Sequence, residues 1–80
     1  MALYSVETKK DPEKVVERAI DYFGEEGLGL SVTRENPCCA TFEGGGGHVM
    51  VTASRGDDKV EVEVETREWD YHVKRFIGRI

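Results

Sequence analysis

Eighty residues are enough for one small hydrophobic core and leave little room for a deep internal cavity. With 16 acidic against 11 basic side chains the net charge is −5, which disfavours phosphate backbones as partners. No apolar run approaches the roughly 18 residues that a bilayer span requires. The opening Met1-Ala2-Leu3-Tyr4-Ser5 also lacks a basic leader, so residues 1–80 are expected to form a single cytosolic domain.

Leu3 to Thr8 alternates, with the β-formers Tyr4, Val6 and Thr8 on one side, and predicts a first strand. Asp11-Pro12-Glu13 then offers an N-cap, a proline suited to the first helical position and a carboxylate at the positive end of the helix dipole. Val15, Val16, Ala19, Ile20 and Phe23 follow at helical spacing, with Glu17, Arg18, Asp21 and Glu25 off that stripe. The predicted amphipathic helix stops at Gly24 or Gly27 in a left-handed glycine cap.

Leu28 to Arg34 alternates again and is broken by Asn36-Pro37. Cys38 to Glu43 keeps Cys38, Ala40 and Phe42 on one side, and His48 to Ser54 does the same with Val49, Val51 and Ala53. Between them lies the run Gly44 to Gly47. After the turn residues Arg55-Gly56-Asp57-Asp58, the stretch Lys59 to Thr66 sets Val60, Val62 and Val64 against Glu61, Glu63 and Glu65. Trp69, Val73, Phe76, Ile77 and Ile80 close the chain as an amphipathic helix that begins at or just before Asp70.

The order β-α-β-β-β-β-α is checked by register. Loops at 44–47 and 55–58 place Phe42 opposite Val49, Ala40 opposite Val51 and Cys38 opposite Ala53. They then place Ala53 opposite Val60, Val51 opposite Val62 and Val49 opposite Val64. Every apolar position lands on one face, an agreement that a one-residue slip destroys. The expected fold is α+β: a two-layer sandwich of a curved five-stranded antiparallel sheet with both helices on one face.

A glycine loop that cradles phosphate leads into a helix N-terminus, whose free N–H groups hold the anion. Here Gly47 is followed by the strand-forming His48-Val49-Met50-Val51, with neither GxGxxG spacing nor a Gly-Lys-Ser/Thr end. The glycines are therefore expected to make a hairpin turn. Their surplus over what a turn needs leaves three readings open: a mobile loop, a bulge that bends the sheet, or close approach of a partner's backbone.

The stretches "YSVETKKDPEKVVERAIDYF" and "WDYHVKRFIGRI", at the two ends of this β-α-β4-α order, give the chain its resemblance to known architectures. In topology it resembles the TATA-binding-protein-like fold and is similar to a cut-down helix-grip domain of the START/polyketide-cyclase class. The first resemblance implies a nucleic-acid-binding sheet face, and the second a ligand cavity beneath the closing helix. The chain departs from the first by carrying Glu61, Glu63 and Glu65 where that family presents basic and intercalating apolar residues. It departs from the second by its short length. No catalytic or ligand residue carries over from either.

The sheet face turned away from the helices is expected to hold the candidate site: His48, Glu43, Glu65, Met50, Glu63 and Cys39. The register above sets His48 between Glu43 and Glu65, an arrangement open to general-base work, to metal binding, or to a plain cross-strand ion-pair row. No second histidine lies at ligand spacing, so no metal and no cofactor is expected. Met50 and Cys39 are unusual on a wet face and suggest that a partner covers it. Cys38 and Cys39 are neighbours on one strand, point to opposite faces and are read as free thiols. Trp69, Tyr71 and Arg67 are a candidate groove at the sheet edge.

The function expected from these features is non-enzymatic: a self-association or partner-binding module that uses its open acidic face or an edge strand. A homodimer or a protein partner is expected, and nucleic acid and membrane are not. The alternative is a minimal helix-grip-like domain holding a small ligand, or acting on it, in a groove between the last helix and the sheet.

Overall fold

The structure is a computed structural model and describes residues 2–80. The elements follow in the expected order: β1 (Ala2–Thr8), α1 (Pro12–Phe23), β2 (Ser31–Asn36), β3 (Cys39–Gly44), β4 (Gly47–Arg55), β5 (Val60–Arg67) and α2 (Asp70–Ile77). The strands form one antiparallel sheet in the order β1-β5-β4-β3-β2, so β1 and β2 are its edges. Both helices lie on one face. Between them and the sheet Val15, Val16, Ala19 and Phe23 of α1, Phe42, Val49, Val51, Val62 and Val64 of the sheet, and Val73 and Phe76 of α2 form one core. Phe23 is its hub, with ring centroids 5.5 Å from Phe42 and 5.3 Å from Phe76.

The N-terminus of α1 forms as its sequence predicts. The Asp11 carboxylate accepts the Glu13 backbone N–H at 3.1 Å, and Pro12 opens the first turn. The C-terminus differs. Gly24 ends the helix at φ −72°, outside the left-handed region, and a Cβ there would collide with the Ile20 carbonyl. The left-handed turn comes later, at Gly29 with φ +88°. Backbone bonds from Gly27, Leu28 and Gly29 to the carbonyls of Gly24, Tyr22 and Gly24 occupy the chain there. This is why β2 begins at Ser31 and not at Leu28: residues 27–29 cap the helix and cannot also join the sheet. At its other end β2 runs past Arg34 to Asn36 through a bulge. The Asn36 side chain then accepts the Cys38 N–H at 2.8 Å, which makes the turn into β3. Cys38, expected on the core face of a strand, is instead a half-buried residue of that turn.

Register keeps the predicted parity in the β3–β4 and β4–β5 pairs. Phe42 pairs with Val49 and Ala40 with Val51, as expected. The β4–β5 hairpin is shifted by two residues: its loop is 56–59, Gly56 N–H reaches the Lys59 carbonyl at 2.7 Å, and Ala53 pairs with Val62 and Val51 with Val64. A shift of two leaves every side chain on its original face. Val51, Val62 and Val64 are fully buried. In the same register Thr66 falls beneath the core, and its hydroxyl is satisfied by donating to the His48 carbonyl at 3.0 Å.

The β3–β4 loop is tighter than expected. Gly44 pairs with Gly47, so only Gly45 and Gly46 turn, at φ +61° and +80°. Positive φ at both positions is the requirement of a type I′ hairpin, where Asn-Gly is the usual solution. Asparagine is excluded at Gly45 because a Cβ there would sit 2.8 Å from the Trp69 ring. At Gly47 a Cβ would run into the Arg67 carbonyl. Gly44, Gly45 and Gly47 are thus each approached closely by another part of the same chain, Leu30, Trp69 and the end of β5. Glu68 takes a left-handed φ of 78°, a strain of roughly 1–2 kcal/mol for a residue with a Cβ. This turn carries Trp69 over the hairpin, where its indole N–H donates to the Gly44 carbonyl at 3.0 Å.

Two substitutions separate turn strain from packing. Gly46→Ala has open space around it and is expected to lower the unfolding free energy by about 1–2 kcal/mol through backbone strain alone. Gly47→Ala is expected to lower it further, through its collision with β5. Urea denaturation of both variants checks the order, and a smaller loss at Gly47 contradicts it.

Candidate functional site

Alternation sends every second residue of each strand to the face without helices. Register then sorts these side chains into rows. Leu3, Glu65, Met50, Thr41 and Thr33 lie across the middle of the sheet. Arg67, His48, Glu43 and Ser31 form the row nearer the glycine hairpin, and Ser5, Glu63, Thr52 and Cys39 the row on the other side. Glu61 and Glu7 pair beyond that.

The structure brings most of the expected site residues together, with one change of partner. Glu43 is opposite His48 as predicted. Glu65 is not: the two-residue shift puts Arg67 there, and Glu65 reaches the imidazole diagonally, Nε2 to Oε2 at 3.3 Å. The His48 and Glu65 side chains remain 26% and 32% exposed on an open face. Such a pair lacks the water-excluding concavity in which a general base works. Among the described residues no group of three or more His, Cys, Asp or Glu side chains is placed to hold a metal ion.

Met50 is half-buried between its cross-strand neighbours Thr41 and Glu65. Glu63 is exposed between Ser5 and Thr52. The Cys39 thiol donates to Glu35 Oε1 at 3.5 Å and lies 3.7 Å from the Thr52 hydroxyl. A carboxylate neighbour is the opposite of the cationic setting that makes a thiol reactive. No disulfide occurs among the described residues.

Trp69, Tyr71 and Arg67 point in three directions. Trp69 packs on the glycine hairpin, Tyr71 stands 65% exposed with its hydroxyl accepting from Arg75 at 3.2 Å, and Arg67 joins the His48 row. A concavity lies elsewhere. It is an open groove of about 320 Å³ between α1 and the end of α2, lined by Arg18, Asp21, Tyr22, Phe76, Arg79 and Ile80. The helix–sheet interface itself is filled by the core side chains.

Two residues of this face, Leu3 and Glu7, and one on the helix side, Tyr4, lie outside the set expected from the sequence. Leu3 is 65% exposed on it, a placement that the parity of β1 already implies. Glu7 is held by Lys59 at 3.2 Å, a contact between residues far apart in the chain. Tyr4, half-buried on the helix side, donates its hydroxyl to Asp70 at 2.7 Å and so ties edge strand β1 to the start of α2. That hydrogen bond, with some burial and the Asp70 charge, raises the Tyr4 pKa above its usual 10.0.

No helix among the described residues is long and apolar enough to cross a membrane. Neither a family model nor a curated protein sequence matches the chain.

Two measurements test this geometry. A double-mutant cycle with His48→Ala and Glu65→Ala is expected to give a coupling of about 0.2–1 kcal/mol, the size of a cross-strand pair in water. A coupling several times larger means the pair is shielded from solvent. Because the folded pKa of Tyr4 is raised, its contribution is intact below about pH 10 and fades as pH climbs through the raised value. Tyr4→Phe is therefore expected to flatten the alkaline loss of stability relative to the unsubstituted chain. Parallel alkaline limbs in the two unfolding profiles refute the Tyr4–Asp70 bond.

Proposed function

We propose that the chain is a non-enzymatic binding module whose open sheet face takes a basic segment of a protein partner. One observation carries this reading. The face that no helix covers bears Glu7, Glu35, Glu43, Glu61, Glu63 and Glu65, against Lys59 and Arg67. Lys59 is already engaged by Glu7. In the middle of this acidic field sit Met50 and Cys39, both half-buried, with Leu3 at its margin. Apolar and thiol groups framed by one sign of charge suit a partner whose Lys and Arg side chains reach the carboxylates while their alkyl stems lie on the methionine. Face-to-face packing of two copies is disfavoured, since it desolvates like charges without pairing them.

The same charge weighs against nucleic acid, despite the resemblance in topology to sheets that bind it. Catalysis is disfavoured by the open, wet setting of His48.

A labelled Lys/Arg-rich peptide, followed by fluorescence anisotropy, is the probe. Saturable binding at low ionic strength that weakens as salt is added is expected, with a Glu-rich peptide of equal length inert. Glu63→Lys is expected to reduce affinity. The double reversal Glu25→Lys with Glu26→Lys, which makes a larger change in net charge away from the sheet, is expected to leave it nearly unchanged. Equal losses from the two variants, or no saturation, overturn the reading.

A further inference from the structure

The two edges of the sheet are not alike. β2 is defended: it carries a bulge between Arg34 and Asn36, the charges of Arg34 and Glu35, and Pro37 directly after it. These are the devices by which edge strands avoid pairing with other chains. β1 has neither bulge nor proline. It pairs with β5 without interruption from Ala2↔Thr66 to Thr8↔Val60, contains no proline and has a single charged residue, Glu7. Among the described residues its outer row of backbone N–H and C=O groups is left without a strand.

We propose that β1 pairs antiparallel with β1 of a second copy, about a two-fold axis at Ser5, to make one continuous ten-stranded sheet from the five strands of each chain. The pairing runs through the backbone edge of β1, which adjoins the acidic face at Leu3, Ser5 and Glu7, and the proposal holds whatever that face binds.

Ser5 is the midpoint of Ala2–Thr8, so this axis alone pairs the whole strand with itself. It sets Tyr4 opposite the second copy's Val6 on the helix side, an aromatic and β-branched pair of the kind that stabilises sheets. Both residues are half-buried in the single chain and pack on the rim of the core. The Tyr4 ring is already oriented by its bond to Asp70, which reduces the ordering that pairing requires. On the other side the axis sets Leu3 opposite the second copy's Glu7. No two like charges become direct neighbours across the new pair, and Glu7 is balanced by Lys59 at 3.2 Å. The acidic β5 strands of the two copies are then three strand spacings apart. That is about 14 Å, beyond the ~8 Å screening length at physiological salt. A strand pair of this length buries less than the ~1,600 Å² of a standard interface, so the dimer is expected to dissociate in the micromolar range.

Sedimentation equilibrium across a concentration series tests the proposal, with two opposite charges at one exposed position. Leu3→Glu faces Glu7 of the second copy twice over and is expected to raise the dissociation constant roughly tenfold. Leu3→Lys supplies that glutamate with a partner and is expected to leave the constant unchanged or lower it. Leu3 is 65% exposed, so both variants should fold, and circular dichroism checks this. Under mild oxidation Ser5→Cys is expected to give a covalent dimer in which peptide mapping finds the bond between the two introduced thiols. A chain that stays monomeric at hundreds of micromolar, equal weakening by both Leu3 variants, or cross-linking through Cys38 or Cys39 alone overturns the proposal. Lost association in both Leu3 variants identifies a hydrophobic contact without this register, and monomeric behaviour leaves the β1 edge to an extended segment of a different protein.

Discussion

The common side shared by the valines of β4 and β5 is the constraint on which the molecule depends. Val49, Val51, Val60, Val62 and Val64 face the helices and are essentially unexposed. Each would forfeit about 1.5 kcal/mol or more if turned to water. In a chain this small few other contacts could replace that sum. Alternation then leaves no freedom on the reverse side, where Glu61, Glu63 and Glu65 stand in one line along β5 with His48, Met50 and Thr52 beside them on β4. The acidic face is thus a geometric consequence of the core.

The hairpin at Gly45-Gly46 and the start of α2 act as one unit. The left-handed Glu68 turns the chain toward the hairpin, and Trp69 covers it with a ring contact and a hydrogen bond to Gly44. The strain at Glu68 and the entropic weakness of a glycine run are offset by this docking. At the opposite side of the sheet Tyr4 does similar work, fastening β1 to Asp70 at the first turn of α2. The helix is thereby anchored to the sheet at both flanks of its N-terminus, and Phe76 reaches Phe23 from its C-terminal half.

These anchors leave the molecule with two free surfaces of different kinds. The sheet face is charged and open, and is the surface proposed to take a complementary partner. The β1 edge offers backbone hydrogen-bonding groups and a short apolar strip, suited to strand addition. The two surfaces meet at Leu3, Ser5 and Glu7, whose side chains lie on the face while their backbone forms the edge. A sheet extended through β1 would continue the acidic face across both copies, so the two modes are compatible.

Much of this was legible in the residues themselves. The period-two runs located all five strands and, apart from Leu28 and Cys38 at their ends, the face of their side chains, and the 3.6-residue stripes with Asp11-Pro12 located both helices. The composition of the candidate site followed from the same parity, including the row of glutamates. What the sequence could not decide was register. A pattern of period two looks the same after a slip of two residues, so the pairing of His48 with Arg67 in place of Glu65 was invisible to it. The roles of the glycines and of Leu28 were equally hidden, because they answer to Trp69, Arg67 and the end of α1, which come close only when the chain folds. Local periodicity determined which elements form and which way they face. Tertiary packing decided how they slide past one another and where they touch, because those choices depend on contacts between residues distant in the chain.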